Sequence, residues 1–150
     1  MTFYDETLSR LPDPSVRPDY YKNVPFKRFM AWLIDITIVG IVSAIIVPFT
    51  AFTAVFFFPA LLLVIGFLYR WFTLTGRSAT WGMRMMAIEF RTNTGERFDS
   101  GNAFLHTLGY SLTITTGALQ LVSIFLMLIS DRKQGLTDHI MGSAAINRPL

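Results

Sequence analysis

The chain has 150 residues, of which 52% are hydrophobic and 15% charged, with a net charge of +3. A soluble domain carries roughly 25% charged residues. This composition therefore points to a membrane protein, and the basic balance to its loops rather than to nucleic-acid binding. Cys is absent, which excludes a disulfide framework, a zinc–thiolate site and a thiol nucleophile.

Residues 1–25 form a polar, proline-containing tail. They lack the apolar core of a signal peptide, so the tail is expected to stay solvated on the cytoplasmic side. The membrane domain is placed at residues 26–150. Its first span is residues 29–47, FMAWLIDITIVGIVSAIIV, interrupted by Asp35 and ended at Pro48. The second is residues 52–69, with Pro59 as a possible kink. Each approaches the ~20 residues a helix needs to cross a bilayer. Residues 76–90 are too short to span. Trp81, Met85 and Ile88 recur at helical spacing among arginines, which predicts an amphipathic helix lying on the interface. The alternation in AIEFR and the turn TNTG predict a small hairpin, to which AAIN near the C-terminus could add a strand.

Residues 103–130 would extend about 42 Å as one helix, more than the ~30 Å hydrocarbon core. The polar TITT before Gly117 favours two pieces, near 103–115 and 118–130. A re-entrant hairpin returns Arg132 and Lys133 to the cytoplasmic side, whereas a single span exports them; the positive-inside bias favours the hairpin. The predicted fold class is thus an all-α membrane protein. It is a small bundle of two full transmembrane helices, an interfacial helix with a small β element, and a bent or re-entrant third helical region.

Asp35 is the costly residue. A carboxylate at bilayer depth costs about 3 kcal/mol or more on insertion scales, so it either protonates or finds donors. Seven residues separate it from Arg28, which places the two on one helix face about 10 Å apart, too far for a direct ion pair. His106 and Tyr110 are the polar groups of the third region expected to turn toward it. Asp35 is then either a protonatable or cation-binding carboxylate in a transport path or a polar clamp between helices. Asp131 and Asp138 flank Arg132 and Lys133. They are read as interface residues that pair with Arg28, Arg70 or Arg84, and Asp138 as a cap of the segment HIMGS. No Ser-His-Asp arrangement, P-loop or dinucleotide fingerprint occurs, and the two histidines are expected at separate places. An enzyme, a cofactor and a metal site are not expected.

Arg28 with Asp35, the segment SATWGMRMMAIEF, and the tail DRKQGLTDHIMGSAAI together resemble the RDD family of bacterial membrane proteins, named for an arginine and two aspartates. The resemblance covers about residues 26–147. It marks Arg28 and Asp35 as the first two name residues and Asp138, or alternatively Asp131, as the third. The chain departs from the family pattern at Met83, where a lysine is usual, at His106, where an arginine is frequent, and at Ser143, which replaces a threonine. The resemblance implies a multi-pass protein of the bacterial inner membrane, often suggested to be a transporter. The expected function is a small transporter or ion-coupled exchanger. The alternative is an accessory, assembly or scaffold module that binds a protein partner or anionic lipid. Expected partners are the bilayer, an ion or small molecule, and further copies of the chain; nucleic acid is not expected.

Overall fold

The computed structural model describes residues 11–148. The first helix, α1, runs Val24–Phe49, with Pro25 in its first turn, where the missing N–H costs nothing. At 26 residues it is about 39 Å long. Its buried positions are Val24, Ala31, Asp35, Val39, Ser43 and Val47. Steps of seven and four keep them on one face. The remaining surface is apolar and exposed, as at Ile36, Ile41 and Ile45, which suits lipid rather than water. Pro48 lies in the last turn, so α1 continues past it by one residue.

A 3-10 turn, Thr53–Phe57, leads into α2, Phe58–Leu74. Pro59 occupies the first turn of α2 and therefore starts the helix instead of kinking it. Among the described residues, two helices are long and apolar enough to cross a membrane, or three spans result if the bent pair below counts as one.

Next come α3 (Trp81–Met85) and β1 (Ile88–Arg91). The interfacial helix is thus shorter than its apolar spacing suggested. Trp81 and Met85 are exposed, but Ile88 belongs to β1 and is fully buried. The turn after β1 forms, with Thr92 N–H donating to Glu96 O at 2.8 Å. It does not close a hairpin. Phe98 N–H instead donates to Ser78 Oγ at 2.5 Å, and the partner of β1 comes from the far end of the chain.

The third region is α4 (Ser100–Thr116) followed by α5 (Ala118–Ile129), and its axis turns by 116° at Gly117. The sequence explains the break. Thr113, Thr115 and Thr116 donate their hydroxyls back to carbonyls of the preceding turn, a habit that bends helices. Gly117 then takes φ +66°, where a side chain is strained. The chain folds back through α6 (Leu136–Met141) to β2 (Ala144–Asn147). β2 pairs antiparallel with β1, Ile88 opposite Asn147 and Arg91 opposite Ala144. The start of α1, the end of α2, the start of α4 and the tail therefore meet at one end of the bundle, the ribbon end.

The core sits there. Phe90 stacks on Phe98 at 5.2 Å, packed among Val24, Leu74, Ala79, Met83 and Ala103. Burying each of the larger side chains, Phe90, Phe98, Leu74, Met83 and Val24, contributes about 1.5–3 kcal/mol. Leu11 and Tyr21 pack against Ala144 and Ile146, so the expected solvated tail is anchored on the ribbon at these two residues, while positions 13 and 15–19 between them are exposed. The rest of that tail, residues 1–10, lies outside the described residues.

Candidate functional site

Asp35 is held by neutral donors. Thr80 caps α3: its Oγ1 accepts from Met83 N–H and donates to Asp35 Oδ2 at 2.6 Å. Gly82 N–H and the Tyr69 hydroxyl both donate to Oδ1, at 2.9 and 2.6 Å. A glycine is required at 82, since a Cβ there would stand 2.2 Å from the Ala31 carbonyl oxygen of α1. Close approach of α3 to α1 is what lets a backbone amide reach the carboxylate. The expected donors, His106 and Tyr110, are elsewhere. His106 reaches Asp138 and Tyr110 pairs with Trp32 of α1 instead.

Asp138 is the second centre. It caps α6 as expected, but from the third helical position instead of the N-cap: its Oδ2 accepts from Gly135 N–H at 3.0 Å. Oδ2 also accepts from Arg28 Nη1 at 2.5 Å. Oδ1 accepts from Ser143 Oγ at 3.1 Å and lies 2.7 Å from His106 Nε2. Arg70 Nη2 approaches His106 Nδ1 at 3.4 Å. A guanidinium can only donate, so Nδ1 accepts and Nε2–H donates to Asp138. That pattern is satisfied by a neutral imidazole. Burial pushes the Asp138 carboxyl up, but the Arg28 charge and the His106 hydrogen bond outweigh it and hold the group well below the ordinary carboxylate range. Phe90 forms the floor, with His106 against its ring at 4.3 Å and the Arg28 guanidinium over it at 5.1 Å.

Tyr110 accepts from Trp32 Nε1 at 2.8 Å, and the Arg70 guanidinium stacks on its ring at 4.2 Å. Of the six residues singled out in the sequence, Arg28, His106 and Asp138 are in direct contact. Tyr110 and Asp35 border the same cavity. Asp131 is exposed and makes no ion pair among the described residues. Sequence reasoning gave no role to Tyr69, Thr80 or Gly82, and placed Arg70 only as a partner for an interface aspartate, with which it makes no ion pair among the described residues. For Thr80 and Gly82 the one signal is TWG, a Thr able to cap a helix with a residue lacking a side chain two positions on; Tyr69 carried none.

The cavity has a volume of about 570 Å³ and lies between α1 and the α4–α5 pair. Its polar end is formed by Arg28, Arg70, His106 and Asp138; the rest is largely apolar, including Phe29, Ile124 and Leu128. The model of the RDD family matches residues 23–142, which include Arg28, Asp35 and Asp138. The chain belongs to the RDD family. Family membership and the apolar helices make it a membrane protein. No curated protein and no solved structure matches it. In this RDD chain Arg28 and Asp138 form an ion pair while Asp35 binds hydroxyls and an amide, so these three residues serve two separate centres.

Proposed function

We propose that this RDD protein is a membrane-embedded binding module whose working site is the cavity between α1 and the α4–α5 hairpin. The observation that carries the reading is the contrast between Asp35 and that cavity. Asp35 already accepts three hydrogen bonds from the fold, as a clamp between α1 and α3 does. The cavity falls in the range of ligand sites, about 300–1,000 Å³, and has an apolar body with convergent polar groups at one end. The reading assigns no catalytic step, no cofactor and no nucleic acid. The polar end is placed on the cytoplasmic side of the inner membrane, because no Lys or Arg occurs in residues 29–69 or 98–131 and the basic segments gather at the ribbon end. Further copies of the chain are proposed as lateral partners of the exposed apolar faces.

A second reading, a transporter or ion-coupled exchanger, is favoured by the position of Asp35 on the wall of the same cavity. Vesicles containing the purified chain separate the two. The binding module gives no cation or proton flux above empty vesicles. Flux that disappears in a folded Asp35→Asn variant would establish the exchanger instead.

A further inference from the structure

Arg70 stands apart from the other charges of the cavity. Among the described residues it makes no ion pair with a carboxylate. Its one hydrogen bond is the 3.4 Å approach to His106 Nδ1, and its buried Nε has no acceptor. The two carboxylates nearby are already engaged, Asp138 by Arg28 and His106, and Asp35 by Tyr69, Thr80 and Gly82. A guanidinium carries five N–H donors in a planar fork suited to phosphate. Here most of that capacity is unspent, in an apolar setting where unpaired donors are costly.

The rest of the cavity says what brings the anion. Phe26, Phe29, Ile124 and Leu128 border it and are also exposed, so in a bilayer its mouth opens sideways to lipid. A volume of about 570 Å³ far exceeds that of an inorganic ion, and the apolar walls offer such an ion nothing. They offer a hydrocarbon chain a place to lie.

We propose that the cavity holds an anionic membrane lipid, its phosphate anchored by Arg70 and one acyl chain lying between α1 and α5. This rests on the binding-module reading and names its ligand. His106 stays neutral and keeps Arg70 in place by accepting from it, and Tyr110 backs the guanidinium with its ring.

The test uses the purified full chain in neutral detergent, read by native mass spectrometry and by melting temperature. Phosphatidylglycerol is expected to remain as a one-to-one adduct and to raise the melting temperature, whereas phosphatidylcholine and inorganic phosphate at the same concentration do neither. Arg70→Gln should weaken phosphatidylglycerol binding roughly 10- to 100-fold, the value of one or two charge-assisted hydrogen bonds. Arg77→Gln, an exposed arginine outside the cavity, should leave binding within about twofold, which separates the site from bulk electrostatics. A melting curve without lipid checks that Arg70→Gln is folded; if it is not, Arg70→Lys, which keeps the charge without the fork, must show intermediate affinity. Equal binding of phosphatidylcholine, or unchanged affinity in Arg70→Gln, overturns the anion assignment while leaving a lipid-binding cavity. Equal binding of inorganic phosphate overturns the lipid assignment. Cation flux through Asp35 in the vesicle experiment overturns the underlying reading independently.

Discussion

Asp35 and Asp138 show two ways of keeping a carboxylate in an apolar surrounding. Asp35 uses hydroxyls and an amide, and Asp138 uses a guanidinium, an imidazole, a hydroxyl and an amide. Replacing Asp35 by Asn turns one oxygen into a donor that faces Thr80, Tyr69 or Gly82 N–H. Asp35→Asn should therefore destabilise the chain by about 3 kcal/mol, and Thr80→Val by about 1–2 kcal/mol. The double variant should cost less than the sum. Thermal melting in neutral detergent reads all three, and strict additivity would show that the two side chains do not act together. Asp138 has a folded pKa below that of an ordinary aspartate, so the stability it contributes is fully present above about pH 4. That contribution is lost as pH falls below this value toward the depressed folded pKa. From neutral pH down to about 5 the group should leave the melting temperature flat. Arg28→Ala leaves a buried carboxylate without its cation, a loss of about 3–5 kcal/mol. It should also move the acid loss to higher pH. An unchanged acid limb in that variant would mean that Arg28 does not set the charge state of Asp138.

At the scale of elements, α3 is five residues long, too short to be stable as an isolated helix. It persists because Gly82 lets it lie against Ala31 and Asp35. Gly82→Ala pushes a methyl group into the backbone carbonyl of α1 and should cost about 3 kcal/mol, at the upper end of overpacking losses. A loss below ~1 kcal/mol in the same melting assay would mean that α3 can slide away from α1 freely. The two long helices were legible because apolar runs of spanning length have few other uses. The break at Gly117 was legible because a threonine cluster ahead of a glycine disfavours a continuous helix. The clamp was not. A carboxylate signals that donors are needed, but a backbone amide has no letter in the sequence, and Thr80 and Tyr69 read equally well as a cap and as an interfacial aromatic. The hairpin expected after β1 failed for a related reason. Alternation marks a strand without saying which other strand completes it, and AAIN, far away in the chain, packs its small residues where Phe90 and Phe98 leave room.

For the whole molecule, the ion pair between Arg28 and Asp138 and the β1–β2 ribbon bring the tail back to the start of α1. The chain lacks Cys, so single cysteines can be placed without a background. Thr94→Cys and Lys133→Cys should label from the same face of the membrane and Thr53→Cys from the opposite face. Labelling of positions 94 and 133 from opposite faces would mean that the bent pair crosses once. The site was only partly visible from the residues because its members come from four separate elements. The resemblance supplied Arg28 and Asp138, whereas Arg70 was one of three arginines expected to pair with an interface aspartate, and α2 sets it against Tyr110 instead.

The ribbon has a consequence for the order of events during synthesis. β1 emerges from the ribosome before α4, α5 and α6, and its partner β2 follows all three. At about 5–20 residues per second, β1 waits roughly 3–10 s with its backbone groups open to any other strand. The last strand then acts as a latch that closes only after the bent pair has folded back. Chains arrested just before Ala144 should be cut by protease near residues 88–91, and released chains should resist. Protection in the arrested chains would mean that some other element shields β1 until its partner arrives.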